Sequence, residues 1–283
     1  MSSAILIAGA GYVGTALAAR LVARGERVFG LRRDARSMPS GVAGISADLS
    51  VDTSFVLPSE IDRVVYALSP GGGGGDAYRA VYVRGLENLR DALARSGARA
   101  RRVILTTSTA VYPQTDGSFV DESSEVRGDG TAAHLLEAER IVRECFEEGI
   151  ALRLAGIYGP GRDRMVRLVA DGSARRPRTP TWTNRIHRDD AASALDTLLE
   201  IEHPAPVYLG VDDEPADLGT LYEWIARELG IPTPPFEDAP TVRSRGGSKR
   251  CRNALLRAAG WVPMYPSFRE GYREAIEARR SDR

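Results

Sequence analysis

The residues best suited to bind a ligand stand near the start of the chain, where three glycines follow four apolar residues. Gly9, Gly11 and Gly14 come directly after this apolar run, and apolar side chains then recur at helical spacing. In a strand–turn–helix of this kind, the first glycine permits a tight turn, the second lets a pyrophosphate approach the backbone, and the third lets helix and strand pack closely. The helix N-terminus adds partial positive charge. The pattern predicts a dinucleotide site, with further contacts from Tyr12 and Val13.

Two arginines, Arg32 and Arg33, end the second predicted strand. Proteins that bind NAD through this motif usually place a carboxylate here for the ribose 2′-hydroxyl, whereas arginine accommodates the 2′-phosphate of NADP. The pair therefore favours NADP(H) over NAD(H), with a solvated turn as the alternative. Asp48 and Leu49 follow a third strand, where the Asp48 carboxylate is placed to accept a hydrogen bond from the adenine amino group.

Alternating strands and helices must position these residues. Strands are predicted at 4–7, 27–31, 44–47, 61–68, 103–107 and 150–154, with helices between most of them. This alternation predicts an α/β Rossmann fold, a doubly wound parallel sheet with a smaller C-terminal substrate lobe. We expect residues 1–158 to form the NAD(P)-binding domain and residues 159–283 to form mainly the substrate lobe, with 186–203 returning to the first domain.

Five consecutive glycines, Gly71–Gly75, follow the fourth predicted strand. Ligands bind beyond the carboxyl ends of strands in open α/β sheets, so this run is either a flap over the cofactor or a connector without fixed structure. A long amphipathic helix is predicted directly after it, over 76–96.

The composition excludes several classes of function. The 283 residues carry 38 basic and 38 acidic side chains, and a net charge of zero argues against nucleic acid or an anionic membrane surface as the main partner. No apolar run approaches the roughly 20 residues of a membrane span, and we expect no leader peptide before the first strand. Cys145 and Cys251 lack metal-ligand spacing and are interpreted as reduced, so we expect no metal and a cytoplasmic location.

Further motifs occur in a familiar order along the chain: the glycine turn, Asp48–Leu49, Ser108, Val111–Tyr112, Arg153–Pro160, Ile186–His187, Asp190, Lys249–Arg250, Asn253, Leu256, Gly260–Trp261 and Tyr265–Pro266. With these motifs the chain resembles the extended short-chain dehydrogenase/reductases, the NAD-dependent epimerase/dehydratase family, over nearly its whole length. The resemblance implies contacts near the nicotinamide from the backbone around Ala67, Leu68 and Ser69 and around Gly156 and Ile157.

The catalytic Tyr-x-x-x-Lys that the resemblance implies is missing. Counting along the chain puts Thr131 in the tyrosine position and Leu135 in the lysine position, no tyrosine occurs between Tyr112 and Tyr158, and the one lysine is Lys249. In the family this tyrosine moves the proton, and a positioned acid is worth roughly 100- to 10,000-fold in rate. Three alternatives follow. Another residue donates the proton, the reaction needs less acid catalysis, or no redox reaction occurs.

Ser108, His134 and Tyr112 are the candidate catalytic residues. The resemblance implies that Ser108, four residues before Tyr112, bonds the substrate oxygen. His134 lies about 60° around a helix from Thr131 and titrates in a useful range, with a solvent-facing histidine as the alternative. The tyrosines Tyr112 and Tyr158 either present a hydroxyl to the pocket or pack as aromatics.

Tyr158, Arg162 and Arg185 are the candidate substrate-binding residues, since arginine binds a carboxylate or phosphate through two contacts. In a chain with 37 arginines the alternative is a solvated side chain. We expect an NADP(H)-dependent oxidoreductase that acts on a small molecule with an activated C=O, C=C or C=N bond, and a homodimer is left open. The alternatives are a non-catalytic NADP(H)-binding regulatory or scaffold protein and a non-redox isomerase or lyase.

Overall fold

The structure is a computed structural model that describes residues 3–238 and 247–281. Its strands are β1 (Ala4–Ala8), β2 (Val28–Arg32), β3 (Val42–Ser46), β4 (Ile61–Tyr66), β5 (Arg102–Ser108), β6 (Phe119–Val120), β7 (Glu148–Leu154), β8 (Gly156–Tyr158), β9 (Trp182–Thr183), β10 (Arg185–His187), β11 (Val207–Gly210), β12 (Ala216–Asp217) and β13 (Arg250–Cys251). Its helices are α1 (Tyr12–Ala23), α2 (Gly75–Tyr78), α3 (Gly85–Ser96), α4 (Thr131–Cys145), α5 (Arg164–Ala170), α6 (Arg188–Glu200), α7 (Leu218–Leu229), α8 (Ala254–Ala258), α9 (Phe268–Gly271) and α10 (Arg273–Ser281).

A seven-stranded parallel sheet forms the centre of the molecule. The strand order is β11-β7-β5-β4-β1-β2-β3, and every neighbouring pair is parallel. The chain therefore builds outward from β1 in one direction and then returns to continue at β4 in the other. This is the predicted doubly wound α/β fold, and its switch point between β1 and β4 creates a crevice at the carboxyl ends of the strands.

The residues of β1 alternate between two hydrophobic cores, one on each face of the sheet. Ile5 and Ile7 pack in one core with Leu17 of α1 and Leu195 of α6. Leu6 packs in the other core, to which α3 and α4 contribute their apolar sides. All five residues of the strand are buried, which explains the continuous apolar run in the sequence.

The helix predicted over 76–96 is interrupted. Between α2 and α3 the backbone widens into a π-helical segment, Arg79–Arg84, which we call the π-turn. The cause lies on β4, where the Tyr66 hydroxyl donates to the carbonyl oxygen of Val81 at 2.5 Å. A Cβ at Gly85 would lie 2.4 Å from this hydroxyl oxygen, so the helix accommodates Tyr66 only because Gly85 has no side chain.

Segments after residue 158 form a third hydrophobic cluster, in which Leu221 of α7 and Phe268 of α9 are fully buried. In contrast, α6 belongs to the core that contains α1. The division of the chain at residue 158 stays a prediction. No helix in the described ranges is long and apolar enough to cross a membrane.

Candidate dinucleotide site

A cleft of about 700 Å³ opens at the carboxyl ends of β1, β2, β4 and β5. Fourteen of the predicted site residues line it: Gly9, Gly11, Tyr12, Val13, Arg32, Arg33, Asp48, Leu49, Ala67, Leu68, Ser69, Ser108, Ile157 and Arg162. The fold therefore brings together residues that lie more than 150 positions apart in sequence, at the place where open α/β sheets bind ligands.

The glycine turn has the geometry that a pyrophosphate requires. Gly9 has a φ of +101°, and a Cβ there would lie 2.6 Å from the carbonyl carbon of Ala67. A Cβ at Gly14 would lie 2.4 Å from the Gly9 oxygen, so the helix packs directly on the turn. At Gly11, by contrast, the nearest atom would be 3.9 Å away. No side chain caps α1, which leaves the N–H groups of its first turn for an anionic ligand.

Arg32 and Arg33 lie where β2 reaches the cleft. Neither guanidinium is paired with a carboxylate in residues 3–238 and 247–281. The nearby carboxylate of Asp34 accepts hydrogen bonds from Arg36 at 2.9 and 2.7 Å, and these bonds lower the pKa of Asp34 to about 2. Because Arg36 satisfies Asp34, the positive charge of the other two arginines is available to a ligand.

Asp48 lies across the cleft, after β3. Its Oδ1 accepts hydrogen bonds from the Ser50 amide at 3.0 Å and the Ser50 hydroxyl at 2.6 Å. This local turn fixes the carboxylate and leaves Oδ2 without a hydrogen bond from a described residue. The arrangement suits an amino group such as that of adenine.

Ser108 ends β5 at the floor of the cleft. Its Oγ accepts the amide N–H of Ala110 at 3.1 Å, so the hydroxyl proton can be donated to a bound molecule. The adjacent Thr107 also lines the cleft, but its hydroxyl donates to buried Glu139 at 2.8 Å. Of these two hydroxyls, the one on Ser108 is therefore available for chemistry.

Tyr112, predicted as a catalytic residue, is not among the residues that line the cleft. Its ring is 2% exposed, and its hydroxyl accepts a hydrogen bond from Arg153 at 2.7 Å. Arg153 is in turn paired with Glu139 through contacts of 3.0 and 2.7 Å. Burial raises the pKa of Tyr112 to about 12. The side chain is part of a buried polar network with Arg153 and Glu139.

Tyr158 and Arg185, predicted to bind substrate, are also absent from the lining of the cleft. The Tyr158 hydroxyl approaches the Ser267 carbonyl at 3.4 Å, and its ring packs against His187 and Tyr272. Arg185 is 4% exposed and donates to the Thr183 hydroxyl at 2.6 Å. Both side chains belong to the packing of the segments after residue 158.

His134 and Gly156 lie beside the cleft rather than on its wall. The Nε2 atom of half-buried His134 is 3.6 Å from the position that a Cβ would take at Gly75, at the end of the glycine run whose first residue, Gly71, lines the cleft. The Nδ1 atom of His134 has no hydrogen bond from a described residue. The amide of Gly156 donates to Asn184, and its neighbour Ile157 faces the cleft instead.

Tyr82 and Val81 line the cleft although no sequence pattern predicted it. Both lie in the π-turn, which shifts the residues before Gly85 around the helix axis. Tyr82 stacks on Tyr78 with ring centroids 5.7 Å apart, and burial raises the pKa of its hydroxyl. A helix with regular periodicity would not have identified these positions, and the cause, Tyr66, lies far away in sequence.

The fold and cleft define a dinucleotide-binding protein of the α/β class. Residues 5–208 match the sequence model of the NAD dependent epimerase/dehydratase family, and the chain belongs to this family. A 3-diazoavenalumate denitrifying reductase of a Streptomyces species is 30% identical, over 94% of this chain and 98% of that protein. A dTDP-6-deoxy-L-talose 4-dehydrogenase (NAD(P)(+)) of Kitasatospora kifunensis is 28% identical, over 95% of this chain and 93% of its own length.

A solved structure from Methylobacillus flagellatus, assigned to the NAD-dependent epimerases/dehydratases, is similar in both sequence and fold. It is 32% identical, with a TM-score of 0.79, over 99% of this chain and 100% of the other. Family membership, together with the reductase and the dehydrogenase among its relatives, identifies the chain as an NAD(P)-dependent oxidoreductase. The residues that the structure describes contain no group of His, Cys, Asp and Glu side chains suited to a metal ion.

Proposed function

We propose that the protein is an oxidoreductase that uses NADP(H) in preference to NAD(H) and transfers a hydride to or from a small molecule. The observation that supports this preference is the position of Arg32 and Arg33 at the cleft, after β2, with no carboxylate paired to them among the described residues. A dinucleotide laid along the glycine turn directs its adenosine ribose to this point. NADPH, when bound, supplies the hydride.

Titration of the protein with NADPH and NADH at one fixed ionic strength tests the preference. Charged hydrogen bonds to a 2′-phosphate are worth about 1.5–3 kcal/mol, so NADPH should bind roughly 10- to 100-fold more tightly. Arg32→Ala should remove most of this difference and leave NADH affinity unchanged. Arg36→Ala is the matched control, since Arg36 is paired with Asp34. Equal affinity for the two cofactors, or failure of both to bind, would contradict the proposal.

The proton transfer must differ from that implied by the family's Tyr-x-x-x-Lys. Thr131 is the first residue of α4, and Leu135 is 2% exposed within the core. Lys249 cannot replace the missing lysine, because it is 1% exposed and its Nζ donates to the Tyr112 carbonyl at 2.9 Å. We infer that no tyrosine–lysine pair acts in this chain.

A substrate with an activated acceptor bond needs less acid catalysis. Reduction of a simple ketone generates a strongly basic alkoxide. Reduction of a conjugated enone or a quinone-like ring gives a delocalised anion, and reduction of an imine that is already protonated gives a neutral amine. The relative named as a reductase of 3-diazoavenalumate acts, by that name, on a diazo compound rather than on a simple carbonyl. This comparison supports an electron-poor acceptor as the substrate class.

The hydroxyls of Ser108 and Tyr82 are the groups we propose to orient and protonate the substrate. Both residues line the cleft, from β5 and from the π-turn. His134 is a further candidate, because its imidazole lies next to Gly75. It would approach a bound substrate if the glycine run closed over the cleft. The hydroxyls of Ser108 and Tyr82 are neutral donors, which suits the modest acid catalysis that an activated substrate needs.

Consumption of NADPH with a panel of acceptors tests this chemistry. Enones, imines, quinones and diazo compounds should be reduced, and simple ketones should not. Ser108→Ala should lower kcat/KM about 2- to 10-fold, the contribution of one neutral hydrogen bond. Ser173→Ala and Tyr78→Phe are controls for Ser108→Ala and Tyr82→Phe, since neither residue lines the cleft. Rapid turnover of simple ketones, unaffected by Ser108→Ala, Tyr82→Phe and His134→Ala, would rule the proposal out.

A further inference from the structure

Arg162 reaches the dinucleotide cleft from a segment outside the central sheet. It follows β8 and precedes α5, yet it lines the cleft beside the glycine turn. Its Cζ lies 4.1 Å from the centroid of the Tyr12 ring. Tyr12 is the first residue of α1, so the guanidinium lies over the helix N-terminus where a pyrophosphate is expected.

A rigid turn holds Arg162 in this place. Gly159, Pro160, Gly161 and Arg162 form a β-turn closed by the Arg162 amide, which donates to the Gly159 oxygen at 2.8 Å. Proline at the second position and a glycine with φ of +74° at the third are the requirements of a type II turn. We call these four residues the clamp turn.

The clamp turn is fixed to the glycine turn by Tyr12 itself. The Tyr12 hydroxyl donates to the carbonyl oxygen of Pro160 at 2.9 Å. A Cβ at Gly159 would lie 3.1 Å from that hydroxyl, so the two turns are in close contact. The backbone of Arg162 is thus held next to the glycine turn, and its exposed side chain lies against the Tyr12 ring.

The charge of Arg162 is not neutralised by another described residue. No ion pair or side-chain hydrogen bond from a described residue holds its guanidinium, whereas Arg188, whose Cζ lies 5.3 Å from the centroid of the Tyr12 ring, is paired with Asp189 at 2.7 Å. A guanidinium that lines the cleft without a carboxylate partner is available for a bidentate contact with a phosphate.

We propose that Arg162 is a pyrophosphate clamp, through which the segment after β8 grips the dinucleotide against the glycine turn. The clamp presupposes the dinucleotide site proposed above and assigns Arg162 to the cofactor rather than to the substrate. Because the clamp turn connects Ile157, which faces the cleft, to α5, bound cofactor also fixes the start of the segments after residue 158.

Three ligands separate the clamp from the 2′-phosphate site. NADPH carries both a pyrophosphate and a 2′-phosphate, NADH carries only the pyrophosphate, and adenosine 2′-monophosphate carries only the 2′-phosphate. Arg162→Gln should weaken NADPH and NADH by the same factor, roughly 10- to 100-fold, and leave adenosine 2′-monophosphate unchanged. Arg32→Ala should weaken NADPH and adenosine 2′-monophosphate and leave NADH unchanged.

Two further variants control the measurement. Arg164→Gln removes the same charge two residues away without touching the cleft, and it should have little effect. Arg162→Lys keeps the charge without the planar fork and should retain part of the affinity.

Each failure has a separate signature. If wild-type protein binds neither dinucleotide, both the proposed function and the clamp are wrong. If wild-type protein binds NADPH but Arg162→Gln weakens it no more than Arg164→Gln, only the clamp is wrong. An unchanged cofactor affinity with a raised KM for the organic substrate would return Arg162 to the substrate site.

Discussion

His187 is a buried histidine that begins a helix, and its neutral form is required there. Its Nδ1 accepts the amide N–H of Asp189 at 3.2 Å and so caps α6. Burial lowers the pKa of His187 to about 4, while the unfolded chain titrates near 6.5. Protonation would remove the acceptor that caps the helix.

His187 should therefore make stability depend on pH. Since the folded pKa is below the unfolded value, the unfolded state binds the proton first, and the contribution is complete above about pH 6.5 and lost as the pH falls toward 4. The free energy of unfolding falls by about 3 kcal/mol at full protonation, and about 2 kcal/mol of this is lost by pH 5. His187→Asn keeps a capping acceptor and does not titrate, so this dependence should disappear in the variant.

Urea unfolding of both proteins at pH 7.5 and 5 measures the effect as a difference between them. The comparison cancels the contributions of groups that both proteins share. One of these is Asp190, whose pKa is raised by burial and whose protonation therefore stabilises the fold as the pH falls. The exposed His203 provides a control, and His203→Asn should leave the pH dependence intact. A His187→Asn protein that loses as much stability in acid as the wild type would contradict the assignment.

Side-chain direction is the part of the site that was hardest to predict at the residue scale. The position of β8 beside the cleft followed from the order of the motifs, but consecutive residues of a strand point to opposite sides. Ile157 consequently lines the cleft while Tyr158 packs among the later segments. Nothing in the local sequence distinguishes the two directions.

At the scale of elements, the π-turn is the feature that most changes the site. It exists because Tyr66 and Gly85 fit together, and the two residues should be energetically coupled. Gly85→Ala places a methyl 2.4 Å from the Tyr66 hydroxyl and should cost about 1–3 kcal/mol in unfolding free energy. In a Tyr66→Phe background the clash is relieved, so the same change should cost clearly less.

A double-mutant cycle measured by chemical denaturation tests this coupling. Tyr66→Phe also removes the donor to the Val81 carbonyl, and the cycle separates that loss from the effect of the methyl group. An equal cost of Gly85→Ala in both backgrounds would show that Tyr66 does not cause the π-turn.

The regular elements were predictable because their causes are local. Continuous apolar runs and helical patterns, with glycine at the turns, located strands of the sheet and the glycine turn at the crevice. The π-turn was not predictable in this way, since its cause is a contact between Tyr66 on β4 and a helix that begins after the glycine run. Val81 and Tyr82 were consequently missed as residues of the cleft.

At the scale of the whole molecule, the cleft and a buried arginine lie at opposite ends of the parallel strands. The cleft lies at the carboxyl ends, whereas Arg102 lies at the amino end of β5 and is 2% exposed. It donates to the carbonyl oxygens of Leu198, Leu199 and Ile201 at 3.0, 2.7 and 2.6 Å, and it is paired with Glu148. One side chain thus satisfies the carbonyl groups at the end of α6 and ties that helix to the sheet.

The burial of Lys249 gives the molecule an unusual chemical property. Because the sequence contains one lysine and the fold encloses its amine, acylating reagents meet no accessible side-chain amine while the native structure persists. Modification of Lys249 then requires the surrounding structure to open first. The rate of acylation at Lys249 itself, measured under native conditions, therefore reports the free energy of that opening at a single position, without any engineered probe.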